Sequence, residues 1–134
     1  MWLYADADPR RGIRDAIELA RSEGILLPVL WIDVETYTDG TIPSALTIAA
    51  AIDECELLGV QPGIYTSSAM WQRIANPNFS HLPLWVAHYY FEPRPNLEGV
   101  QLFGGWSRDM VYGHQWTSSP VDQSVFLAKA TLAS

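Results

Sequence analysis

The chain has 134 residues, the length of one domain. Hydrophobic residues make up 49% and charged residues 17%, a balance that supports a buried core and excludes a disordered tail. Fifteen acidic against eight basic residues give a formal net charge of -7, which argues against a nucleic-acid backbone or an anionic membrane as partner, since both need a basic face.

In chain order, residues 1–4 are apolar and aromatic and read as the end of a strand. Asp8-Pro9 then reads as a helix cap followed by proline at the first helical position. Ile13, Ala16, Ile17 and Ala20 follow the i, i+3, i+4, i+7 rule, so a helix is predicted over about residues 9–23, stopped by Gly24. Residues 28–34 (PVLWIDV) suit a strand buried on both faces. A second helix is predicted over about 43–58, with Ala45, Ile48, Ala49, Ile52 and Cys55 inward and Gly59 as its stop. Residues 62–66 (PGIYT) give the next strand, and Ser67-Ser68 cap a short helix to about Ala75.

Residues 82–88 (LPLWVAH) read as another buried strand, and 91–109, with its prolines and glycines, as loop. Residues 110–116 (MVYGHQW) and 121–126 (VDQSVF) supply two closing strands. Short hydrophobic strands alternating with helices indicate an α/β fold of about six strands, mainly parallel, whose alternation decays toward the carboxyl end. In such folds the chemistry sits at the carboxyl ends of the strands. That rule selects Asp33, Glu35, Tyr65, Thr66, His88, Tyr89, Gln115, Trp116 and Asp122.

The sharpest feature is Trp31-Ile32-Asp33-Val34-Glu35. Two carboxyls two residues apart on a strand share one face, about 6.6–7 Å apart. Desolvation and mutual repulsion raise one of their pKa values, leaving an acid beside an ionised partner, the equipment for cleaving a glycosidic bond. Two other readings stand beside this one. Glu35 begins a loop while Asp33 caps a turn, or the pair belongs to a divalent metal site. The metal reading is short of ligands, because no His or further carboxylate stands at ligand spacing nearby. Ser67-Ser68 has no Gly-x-Ser-x-Gly setting, so a serine hydrolase is not indicated.

Leu30-Trp31-Ile32-Asp33-Val34-Glu35, Gly63-Ile64-Tyr65-Thr66, Leu84-Trp85-Val86-Ala87-His88-Tyr89, and Gln115-Trp116-Thr117 with Val121-Asp122 resemble, in order, successive strands of the family 25 glycoside hydrolases. These are muramidases with an irregular TIM-like β/α barrel, and the resemblance covers roughly residues 1–128. It implies Glu35 as proton donor, Asp33 as its carboxylate partner and Asp122 as a further active-site aspartate. It implies Tyr65, Trp85, Tyr89, Gln115 and Trp116 as lining of the sugar cleft. The activity implied is retaining, substrate-assisted hydrolysis of the β-1,4 bond between N-acetylmuramic acid and N-acetylglucosamine in bacterial peptidoglycan, with no metal and no cofactor. A family domain begins with two further β/α units, the first bearing an Asp-x-Ser-type aspartate, and neither Asp6 nor Asp8 matches it. The expectation is therefore a truncated barrel, either a fragment or a shortened variant, since a full barrel takes about 250 residues.

Two alternatives accompany the muramidase expectation: a non-catalytic wall-binding module and a chitinase-like hydrolase. Trp31 and Trp85 lie inside apolar runs and are expected in the core. Trp2, Trp71 and Trp106 are expected in packing or at the surface, with Trp106, in a Gly-Gly-Trp loop, the first candidate among them for the cleft rim. His81, His88 and His114 are expected to be structural, and Cys55 an inert core thiol. No signal peptide is recognisable, which suits a phage lysin or a domain of a larger protein and leaves the localisation open. An unclosed barrel exposes strand edges near residues 2–4 and 121–126, so a homodimer is expected, or a carboxyl-terminal segment folded over one edge.

Overall fold

A computed structural model describes residues 8–89 and 95–130. Helix α1 (Pro9–Ser22) begins as the sequence predicts, with the Asp8 carboxylate accepting the Arg10 amide at 3.0 Å and proline in the first turn. Its apolar stripe of Ile13, Ile17 and Ala20 is buried, and each isoleucine contributes about 1.5–3 kcal/mol by leaving water. Helix α2 (Ala45–Leu57) starts at Ser44, whose hydroxyl accepts the Thr47 amide at 3.2 Å. Its buried face is Ile48, Ala51, Ile52, Glu54 and Cys55, while Ala45 and Ala49, expected inward, are half-buried. The face is rotated toward α1 because α2 packs on that helix as well as on the sheet. Arg10 and Arg14 reach across and pair with the buried Glu54 carboxylate at 3.4 and 3.0 Å.

The sheet contains β1 (Leu30–Asp33), β2 (Pro62–Thr66), β3 (Leu84–Ala87), β4 (Val111–Thr117) and β5 (Gln123–Phe126), in that spatial order. The first three pairings are parallel and the last is antiparallel. This is an open arc of a TIM-like β/α barrel, mostly parallel and not closed on itself. Five of the roughly six expected strands are therefore present among the described residues. The strand expected at residues 1–4 lies outside them. Helix α3 (Ser68–Trp71) is a single turn rather than the helix to Ala75 that the sequence suggests. Asn76 adopts φ +50° ahead of Pro77, and residues 72–76 form turns instead.

The strands expected to be buried on both faces alternate instead. Leu30, Ile32 and Val34 of the first strand segment, Ile64, and Leu84 and Val86 are buried in the core with α1 and α2. Trp31, Asp33, Tyr65 and Trp85 sit on the opposite, concave face and are half-buried. A closed barrel would fill that side with side chains, whereas an open arc leaves it accessible. Of the roles open to Trp106, the structure gives it packing and not the cleft rim. It is 3% exposed, its Nε1 donates to the Leu82 carbonyl at 2.8 Å, and its ring lies 4.7 Å from Trp71. Gly104 and Gly105, at φ +61° and +81°, turn the chain so that Trp106 enters the core instead of the cleft rim. A Cβ at Gly104 would stand 2.6 Å from the Trp71 ring nitrogen, so the close approach also requires glycine.

Candidate active site

The concave face carries its polar groups at one rim. Asp33 is the last residue of β1, and the Val34 amide still donates to the Tyr65 carbonyl at 2.8 Å, which extends the ladder one residue further. Val34 therefore points into the core, while Asp33 and Glu35 line the cleft together. Asp33 stands in register with Tyr65 on β2, and Tyr65 with Trp85 on β3. Strand β5 runs antiparallel, so its beginning, preceded by Asp122, meets the same rim as the carboxyl ends of the parallel strands. The resulting cleft of about 240 Å³ is lined by these residues together with Trp31 and Gln115.

Asp33 is the distorted carboxyl. Burial, and then the neighbouring Glu35 charge, push it from 3.8 up to about 6. Its Oδ1 is buried and has no hydrogen-bond partner among the described residues. Burial and then Glu35 raise the Tyr65 phenol, with Asp33 and Asp122 adding to the effect. Burial and then Asp122 raise that of Tyr89. Both phenols donate to one acceptor, the Gln115 Oε1, at 2.5 Å from Tyr65 and 3.1 Å from Tyr89.

The floor is aromatic. Tyr65 and Trp85 have ring centroids 4.5 Å apart, Trp31 and Trp85 are edge-on at 6.0 Å, and Phe126 lies 5.0 Å from Trp85. The Trp85 Nε1 donates to the Ser124 hydroxyl at 3.2 Å, which orients the indole. Two glycines make room for this layer. A Cβ on Gly63 would stand 2.6 Å from the Trp31 ring, and one on Gly113 would stand 2.5 Å from Phe126.

The structure thus gathers Asp33, Glu35, Tyr65, Trp85, Gln115 and Asp122 at one cleft, with Tyr89 reaching it through Gln115. Trp116 is half-buried where the β4–β5 register shifts, and is not among the residues lining that cleft. Trp31 lines the cleft although its apolar context suggested the core. Sequence reasoning passed over Gly63, Gly113, Ser124 and Phe126; a glycine inside an otherwise bulky strand was the available signal for the first two. His114 is fully buried, its Nε2 2.7 Å from the His88 carbonyl, and Cys55 is a buried thiol that burial pushes up to about 12. Among the described residues no group of three or more His, Cys, Asp or Glu is arranged to hold a metal ion.

Comparison with known proteins places this geometry. A family model described as lysozyme-like protein 1 matches residues 4–116. The chain is 30% identical over 126 residues to probable GH family 25 lysozyme 3 of Dictyostelium discoideum, covering 90% of this chain and 26% of that protein. It is 35% identical over 101 residues to counting factor 50 of the same organism, covering 71% of this chain and 33% of the relative. The chain thus spans about a quarter to a third of the curated relatives it matches. Among solved structures, the CTP1L endolysin superposes with a TM-score of 0.59 at 16% identity, over 97% of this chain and 47% of that one. An uncharacterized B. stearothermophilus protein superposes with a TM-score of 0.57 at 18% identity, over 95% and 66%. These two likenesses concern the fold. The family model covers most of the sequence, and the chain belongs to the lysozyme-like family, among the homologues of the family 25 glycoside hydrolases.

Proposed function

We propose that this chain carries a peptidoglycan-hydrolysing site that cleaves the β-1,4 bond between N-acetylmuramic acid and N-acetylglucosamine with retention. The carboxyl of Glu35 gives its proton to the glycosidic oxygen as the bond from that oxygen to the anomeric carbon breaks. The substrate's own acetamido carbonyl oxygen bonds to the anomeric carbon, forming a cyclic cation, and the Asp33 carboxylate accepts the acetamido N–H and offsets the charge. Water then loses a proton to the Glu35 carboxylate and opens the ring, restoring both groups. This substrate-assisted route is a known exception to the two-carboxylate scheme, and it suits two carboxyls on one strand rather than on opposite sides of the sugar.

The observation that carries the proposal is the state of Asp33: raised to about 6, with a buried Oδ1 that lacks a partner among the described residues. A buried acceptor without a donor is costly in the free protein and is relieved by a ligand N–H. At neutral pH roughly nine-tenths of a group with that pKa is ionised, the form that accepts. The aromatic floor supplies flat apolar surface for the sugar ring. Muropeptide digestion tests the proposal. A β-anomer at early times and loss of turnover in Glu35→Gln with binding retained are expected; an initial α-anomer or an active Glu35→Gln variant overturns it.

Glycan binding without cleavage is a second reading, favoured by the unclosed sheet that leaves the concave face accessible. Pull-down by peptidoglycan without clearing of its turbidity distinguishes it.

A further inference from the structure

The cleft contains one hydrogen-bond arrangement that the proposed chemistry does not use. Gln115 is 4% exposed, and its Oε1 receives the hydroxyl protons of both Tyr65 and Tyr89. A phenol has one proton to give, so each hydroxyl that donates to Gln115 turns its lone pairs elsewhere. The surrounding cleft groups Asp33, Glu35 and Asp122 are carboxylates when ionised, and therefore acceptors as well. Without Gln115 the phenol protons would be free to turn to other acceptors of the cleft, the carboxylates among them; their charges already act on both rings. Tyr89 is 53% exposed, and its bond to Gln115, with side-chain hydrogen bonds to Tyr65 and Ser118, holds its hydroxyl at the cleft.

We infer that Gln115 is a positioning residue: by holding both phenolic protons it makes Tyr65 and Tyr89 accept from a bound glycan. The wall they form with the carboxylates then selects ligand groups that donate, such as sugar hydroxyls and acetamido N–H. The inference rests on the proposal that the cleft holds a glycan, and it concerns binding as well as turnover.

The test is a cycle on Gln115→Met and the paired change Tyr65→Phe with Tyr89→Phe. It is read as the affinity for the tetrasaccharide of alternating N-acetylglucosamine and N-acetylmuramic acid, followed by the fluorescence of the cleft tryptophans. Each change alone is expected to weaken binding roughly tenfold, the scale of one lost hydrogen bond. The combined variant should fall no more than about twofold below the weaker of the two, because Gln115 acts through the two phenols. Thermal melts establish that each variant is folded, and Gln115→Asn, which withdraws the acceptor by one methylene, replaces the methionine variant if that one is not. Losses that multiply in the combined variant overturn the inference. A wild-type chain that binds the tetrasaccharide without cleaving it overturns the hydrolase proposal alone. One that neither binds nor cleaves overturns both.

Discussion

Replacing Asp33 with asparagine should make this protein more stable at neutral pH while removing the negative charge proposed to offset the cation. The Asp33 carboxyl titrates near 3.8 in an unfolded chain and at about 6 in the folded one. The folded state therefore holds the proton more tightly. The resulting stabilisation is complete below about pH 4 and is lost as pH rises through about 6. A shift of that size corresponds to about 3 kcal/mol at 1.4 kcal/mol per unit. Asp33 is only half-buried, and screening by water reduces this to about 1–2 kcal/mol. Asparagine has nearly the same shape and never ionises, so Asp33→Asn avoids the penalty at pH 7.5. For a chain of this length the melting temperature should rise by about 3–6 °C at pH 7.5. At pH 4 the two proteins should melt together. Paired calorimetric scans at the two pH values measure the difference directly. An equal change at both pH values, or a lower melting temperature at pH 7.5, would show that burial of charge at Asp33 is not the cause.

The same group gives turnover its pH dependence: kcat/KM on muropeptides should fall as pH drops through about 6, where Asp33 gains its proton and loses the charge that offsets the cation. A pH–rate profile flat from 7.5 to 5 would exclude that role. Gly113→Ala places a Cβ 2.5 Å from the Phe126 ring and should cost about 1–3 kcal/mol, read as a lower urea midpoint. Trp106→Phe removes the donor to the Leu82 carbonyl and should cost about 1–2 kcal/mol while leaving glycan affinity unchanged; a selective loss of affinity would return Trp106 to the cleft. Glu54→Ala leaves Arg10 and Arg14 without their shared partner and should lower stability by about 1–2 kcal/mol, less than a fully buried pair because both arginines reach water.

The elements were legible where local chemistry fixes them. Asp8-Pro9 sets the start of the first helix, and the runs 28–34 and 62–66 mark two strands, because caps and β-branched runs act over a few residues. The carboxylate pair was legible for the same reason: a pleat places residues two apart on one face. What could not be seen is non-local. Trp31 lies in an apolar run and Trp106 in a glycine loop, yet the first lines the cleft and the second is in the core. The difference is that the sheet does not close over Trp31, while a left-handed Gly-Gly turn folds Trp106 inward. The meeting of Tyr65 and Tyr89 at Gln115 joins residues 50 and 26 positions apart, beyond any periodicity.

The reversal of β5 divides the rim into a fixed part and an adjustable part. Asp33 and Glu35 keep a separation set by the pleat, which no change in loop length alters. Asp122 instead hangs from residues 118–122, the connection that turns the chain back along β4. Each residue gained or lost there moves its tether by up to about 3.3 Å while the pair stays in place. The width of the cleft opposite the pair is therefore a matter of loop length, and can change without disturbing the packed sheet that holds Asp33 and Glu35.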